Sequence, residues 1–171
     1  MVLAPPADAL VHALKYEGWR ELAPEMGRAM ARAVLPLERG PGDVAVVPVP
    51  TTLQRMRNRG YNQARLLADA LGEVLDLPVV DALQRTRGGA TQVALHPSQR
   101  RANVRGVFAV RADVSARLEG AHVLLVDDVL TTGATAGAAA LELAQAGVSR
   151  VTLLTYARAL PLLRAAYVSH L

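Results

Sequence analysis

The sequence predicts an α/β domain on a mostly parallel sheet with helices on both faces, and three observations carry that expectation. Apolar runs rich in β-branched residues (44–49, 121–126 and 150–156) alternate with stretches whose apolar residues recur at helical spacing (61–75 and 133–146). The run 44–49 is apolar throughout and 121–126 nearly so, rather than alternating, as strands covered on both faces are. Residues 121–156 also read as one strand–helix–strand unit, the connection that places two strands parallel.

The elements follow in order. From Asp8 to Val34, Leu10 and Leu14, then Leu22, Met26 and Met30, fall at helical spacing. The pattern breaks around Gly18, so two helices are expected with Lys15-Tyr16-Glu17-Gly18 as their joint. Pro36 and Gly40-Pro41-Gly42 mark a loop. Val44–Val49 is a buried strand running into a turn edged by Pro48 and Pro50. A helix is expected over Tyr61–Leu75, and a further strand starts in Leu77–Val80.

Arg85–Arg105 is polar, arginine-rich and holds Gly88-Gly89 and Pro97. It reads as a long mobile connection, which in a compact domain usually serves function. Val107–Val110 is a strand on its far side. Ala121–Val126 is a strand, Gly133–Ala146 a helix closed by Gly147, and Arg150–Tyr156 a last strand.

Composition sets the boundaries. The 171 residues are 51% apolar and 20% charged, which suits one globular domain rather than a disordered chain. Apolar stretches fall far short of a membrane span, and no basic region followed by an apolar run opens the chain. A cytoplasmic protein without a membrane span is therefore expected. Cysteine is absent, which excludes disulfides and thiolate metal sites, and the four histidines are scattered. The net charge is +4, and Lys15 is the sole lysine among the cations. Arginine's planar fork suits phosphate, although a codon bias toward arginine accounts for much of this usage.

The chemistry concentrates in Val123-Leu124-Leu125-Val126-Asp127-Asp128-Val129-Leu130-Thr131-Thr132-Gly133-Ala134-Thr135. An apolar strand leads to two adjacent carboxylates, and a turn of hydroxyls and glycine then opens a helix. In parallel sheets ligands bind outside the carboxyl ends of strands. Backbone N–H groups and hydroxyls from Thr131 to Thr135 can surround a phosphate, and the helix dipole favours an anion there. Asp127 and Asp128 would repel that phosphate, so they suit a polyol or a metal. A sugar phosphate meets both demands. The plainer alternative makes the acids a strand end and Thr132 a helix cap.

This string resembles the ribose-5-phosphate loop of type I phosphoribosyltransferases, a family with a doubly wound parallel sheet. The resemblance implies that Asp127 and Asp128 contact the ribose 2′- and 3′-hydroxyls, directly or through Mg²⁺. It implies that Thr131, Thr132, Gly133, Ala134 and Thr135 hold the 5′-phosphate. Members acting on hypoxanthine or guanine carry an aspartate where this chain has Thr131, which argues against that substrate class.

In the same superfamily a loop after an earlier strand binds pyrophosphate, and Pro48, Val49, Pro50, Thr51 and Thr52, with Arg55, are the candidates. A cis peptide at Val49-Pro50 is open, since X–Pro bonds adopt that form at low cost. Arg55, Arg57 and Arg59 can neutralise pyrophosphate or can be plain surface residues. Asn62 or Gln63 either caps the following helix or faces the ligand. In this enzyme class a mobile loop closes over the substrate, which would bring Arg100, Arg101 and Arg105 onto the departing pyrophosphate. A solvated loop or a nucleic-acid patch is the rival reading of those arginines.

Taken together, ALKYEGWRELAPEMG, VPVP, RGYNQA, QVAL…RRANVRGVF and VLLVDDVLTTGAT resemble the ComF family of competence-associated phosphoribosyltransferase-like proteins, over about His12 to Arg158. The resemblance implies one phosphoribosyltransferase-like domain over 1–171, with residues 1–40 as N-terminal helices available as a hood and 44–158 as the core. It implies 5-phosphoribosyl-1-pyrophosphate with Mg²⁺ as ligand, with single-stranded DNA or DNA-uptake proteins as partners, and it is compatible with an oligomer. Many relatives begin with a cysteine-rich zinc-binding segment; a chain lacking it, or a shortened chain, is expected here.

Three functions compete. One is an enzyme in which a nucleophile attacks C1 of the ribose and pyrophosphate leaves, with no acceptor motif in the sequence. The second is a sensor that binds the same ligand without turnover. The third is a nucleic-acid module built on the arginine-rich loop. That last reading is weakened because neither Phe108 nor Trp19 sits within an arginine cluster to stack bases.

Overall fold

The structure is a computed structural model that describes residues 1–34, 43–86 and 106–160. Its centre is a parallel sheet of β1 (Val44–Pro48), β4 (His122–Leu130) and β5 (Arg150–Arg158), in the order β1-β4-β5. Val44 pairs with His122 and Pro48 with Val126 on one side of β4; His122 pairs with Arg150 and Leu130 with Arg158 on the other. The sheet is extended at both edges by single parallel bridges, Val79 against Val46 and Val2 against Arg158.

The strand expected over Leu77–Val80 is thus reduced to one bridge. Pro78 has no N–H to donate, and the Leu77 N–H turns back to the Gly72 carbonyl. By contrast β4 runs four residues beyond the expected end. The nine-residue β5 supplies partners as far as Leu130, whose carbonyl then takes the Ala159 N–H at 2.9 Å.

Both faces of the sheet are covered, as the apolar runs predict. Val44, Val46, Leu124 and Val126 face one core shared with α1 (Ala7–His12), α2 (Ala23–Ala31) and α4 (Gln63–Leu75). Ala45, Val47, Val123 and Leu125 face a second core shared with α5 (Ala134–Gln145) and Phe108. That division is the strand's period of two read directly in the packing. A Cβ on Gly27 would lie 2.6 Å from the Ala70 Cβ, so α2 and α4 cross at a distance only glycine permits.

Three local features depart from the expected pattern. The first helix ends at His12 and continues as a wide π turn over Ala13–Glu17, so the expected joint is itself helical. A short helix, α3 (Leu53–Arg59), precedes α4. Finally, β2 (Leu83–Arg85) and β3 (Phe108–Val110) form an antiparallel ribbon beside the main sheet.

Candidate functional site

Asp127 and Asp128 lie in the last four residues of β4, at the carboxyl edge of the sheet, and both line a cleft of about 480 Å³. Asp127 Oδ1 accepts the Asp128 N–H at 2.9 Å. Asp128 Oδ1 lies 2.9 Å from the Lys15 ammonium, which reaches in from the π turn. Burial, and then the adjacent Asp128 charge, push the Asp127 carboxyl up to about 6. The Asp128 N–H, Lys15 and Arg85 oppose that rise. The rise thus comes first from burial, and Lys15 offsets part of the repulsion within the pair.

The cationic side of the cleft comes from α3 and the β2–β3 ribbon. Arg55, Arg59 and Arg85 all line it. Arg85 donates through Nε to the Pro50 carbonyl at 2.9 Å, and its guanidinium sits 4.7 Å from the centre of the Phe108 ring. Burial, followed by the Arg55 charge, lowers its pKa, while Asp127 raises it. Two guanidiniums held close enough to repel each other suit a polyanion between them.

The candidate pyrophosphate loop divides between support and contact. Pro48 ends β1, and the buried Val49 donates its N–H to the Val126 carbonyl at 2.9 Å and accepts Asn62 Nδ2 at 3.0 Å. Thr52 caps α3 by accepting the Arg55 N–H at 3.2 Å, which orients Arg55. Val49, Pro50, Thr51 and Arg55 line the cleft. The cis peptide left open at Val49-Pro50 is not found: among the described residues only Pro5-Pro6 is cis. The Val49 N–H continues the sheet pairing and the Pro50 carbonyl serves Arg85, both from the trans form.

Past β4 the chain turns through Thr131, Thr132 and Gly133, and Gly133 takes φ +77°, where a Cβ would be strained. Thr131, Gly133 and Thr135 surround a hollow of about 30 Å³ at the start of α5, together with Asp127 and Thr155. Thr132 and Ala134 line neither this hollow nor the cleft. The Thr132 hydroxyl accepts the Ala134 N–H at 3.4 Å, and the cap position itself belongs to Gly133.

Asn62 and Gln63 both line the cleft, and Asn62 is also a helix cap. Asn62 Oδ1 accepts the Ala64 N–H at 3.2 Å and caps α4. Gln63 accepts Arg59 at 3.1 Å, and its Nε2 is buried without a partner among the described residues. Arg57 does not line the cleft, and Arg100, Arg101 and Arg105 lie outside the described residues. Sequence reasoning missed Lys15, Arg85 and Thr155 as site residues. Lys15 carried a signal as the sole lysine and Arg85 as the first residue of the arginine-rich connection, whereas Thr155 carried none.

Comparison with known proteins bears on the family and the fold. Residues 57–161 match the phosphoribosyl transferase domain family. The chain is 34% identical over 161 residues to the DNA utilization protein YhgH of Escherichia coli (strain K12), covering 92% of this chain and 69% of that protein. It is 35% identical over 116 residues to competence protein F of Haemophilus influenzae, covering 67% of this chain and 50% of that one. The glutamine phosphoribosylpyrophosphate amidotransferase from Bacillus subtilis, solved with ADP and GMP, shares the fold with a TM-score of 0.52 at 20% identity, over 80% of this chain and 26% of that one. No helix among the described residues is long and apolar enough to cross a membrane. On these grounds the chain belongs to the phosphoribosyl transferase domain family, among its ComF-type competence and DNA-utilization proteins.

Proposed function

We propose that the cleft binds 5-phosphoribosyl-1-pyrophosphate with Mg²⁺ and that the chain transfers the phosphoribosyl group to an acceptor. The observation that carries this reading is the opposition, within one cleft, of the Asp127–Asp128 pair to Arg55, Arg59 and Arg85, beside the threonine-lined hollow at α5. A ligand with a neutral diol between two phosphate ends fits that charge pattern. Asp127 and Asp128 accept hydrogen bonds from the ribose hydroxyls. Thr131, Gly133 and Thr135 hold the 5′-phosphate at the helix start. Thr51, Arg55, Arg59 and Arg85 meet the diphosphate.

The residues present fit Mg²⁺ as a shared ion. Among the described residues no group of three or more acidic or histidine side chains could enclose a metal. Mg²⁺ needs no such group where one or two carboxylates are joined by ligand oxygens and water. Bound in that way, it would neutralise charge on the diphosphate as the C1–O bond breaks. The protein's own part is positional and electrostatic: the acids fix the ribose, and the arginines stabilise the leaving diphosphate while the nucleophile bonds to C1. Arg100, Arg101 and Arg105 are proposed to add to that cationic side. The relatives' names support a link to DNA handling, with single-stranded DNA or DNA-uptake proteins as partners.

Calorimetric titration with 5-phosphoribosyl-1-pyrophosphate and Mg²⁺, followed by a pyrophosphate-release assay against nucleobases, tests the proposal. Saturable binding with release in the presence of one acceptor is the expected result. Binding without release would assign the cleft to ligand sensing. A folded chain that binds nothing would overturn the reading altogether.

A further inference from the structure

Lys15 belongs to no motif of the phosphate or pyrophosphate loops, yet its ammonium lies 2.9 Å from Asp128 Oδ1, with 21% of the lysine side chain and 13% of the aspartate exposed. Its position is built rather than incidental. The π turn that carries it is wider than an α-turn, an irregularity that often marks functional positions. The preceding residue, Leu14, is fully buried and its carbonyl accepts the Tyr61 hydroxyl at 2.5 Å. The following residue, Tyr16, lies under the Arg59 guanidinium at 4.9 Å. Both neighbours of Lys15 are thus tied to the segment that also lines the cleft.

We infer that Lys15 is the resident counter-ion of the acid pair, so that a bare divalent ion is kept out and Mg²⁺ enters only on the diphosphate of its ligand. This rests on the reading of the cleft given above. An ammonium is a compact point charge, and on Asp128 it removes one unit from the negative charge that would attract a metal. It also occupies a carboxylate oxygen that the metal would need. With one acid engaged and no third acidic or histidine ligand among the described residues, a bare ion meets too few oxygens. An ion already carried on a diphosphate brings its own oxygens and needs only a contact at the acid pair.

The test uses the metal alone. Mn²⁺, a paramagnetic stand-in for Mg²⁺, is titrated into the ligand-free chain and the free ion is followed by its spin-resonance signal. Wild type is expected to show no saturable site. Lys15→Met, which keeps the aliphatic stem without the charge, is expected to bind Mn²⁺ on the order of tenfold more tightly or better. Lys15→Arg restores the charge and should behave as wild type, a rescue that a merely structural lysine would not produce. Lys15→Gln gives the same reading should the methionine variant not fold. Adding Asp128→Asn to Lys15→Met should remove the gained site. A folded charge-free variant with unchanged Mn²⁺ affinity, or a wild type that already binds the ion as tightly, overturns the inference. Because no sugar phosphate enters this titration, its failure is separate from a failure of wild type to bind 5-phosphoribosyl-1-pyrophosphate.

Discussion

The two ends of β4 carry polar side chains in the same strand and the same parallel pairing, and they treat them in opposite ways. At the amino end His122 is 6% exposed, and its Nε2 lies 2.9 Å from the Thr152 hydroxyl on β5. Burial, then the Arg150 charge, holds its imidazole below the usual value, so it stays neutral and paired. The backbone there is equally closed: the His122 N–H meets the Asp43 carbonyl, and the Ala121 carbonyl takes both the N–H and the hydroxyl of Ser149. At the carboxyl end Asp127 has, among the described residues, one backbone N–H as its hydrogen-bond donor and a second carboxylate beside it. Buried polar groups that find partners locally belong to the fold, whereas groups left short of partners mark where a ligand completes the structure.

The largest effect should follow from removing both acids. Asp127→Asn with Asp128→Asn is expected to lower affinity for 5-phosphoribosyl-1-pyrophosphate with Mg²⁺ by about 100-fold or more, since two charged acceptors are lost. Circular dichroism should show the fold unchanged, because neither carboxylate supports a core contact. Undiminished affinity in the folded double variant would show that the carboxyl end of β4 is as self-sufficient as the amino end.

A second effect is on stability in the ligand-free chain. The folded pKa of Asp127, about 6, lies above the ordinary value of 3.8. The folded chain therefore keeps a proton that the unfolded chain gives up. The stabilising contribution is complete below about pH 4 and is lost as pH rises to 6. The loss amounts to at most about 3 kcal/mol. Asp127→Asn cannot ionise, so it should match wild type near pH 4 and exceed it by up to that amount at pH 7. Urea unfolding at both pH values without metal checks this; a difference independent of pH would mean the carboxylate is already compensated.

The same contrast explains what the sequence made legible. The acid pair, the threonine turn, Gly133 and α5 are contiguous, so one stretch of residues displayed strand, charge, hydroxyls and helix start together. Lys15 and Arg85 reach the cleft only through tertiary structure. Arg85 depends on a ribbon of three-residue strands, too short to show a period of two. The α3 helix was invisible for a related reason: none of its residues is buried, so it has no apolar stripe. The end of β4 was set too early because Asp127-Asp128 read as a terminator, whereas pairing with Thr155, Ala157 and Arg158 carries the strand to Leu130.

The smallest effect isolates the amino end of β4. Thr152→Val keeps a β-branched residue in β5 but removes the hydroxyl beside His122 Nε2. Leaving that nitrogen without its partner should cost about 1 kcal/mol of stability by urea unfolding. Affinity for 5-phosphoribosyl-1-pyrophosphate with Mg²⁺ should stay within about twofold of wild type, since distant sites with no shared partner act additively. A loss of binding in proportion to the lost stability would instead show that β4 transmits strain along its length. In that case the acid pair would owe its geometry to the buried His122–Thr152 contact as well as to its own neighbours.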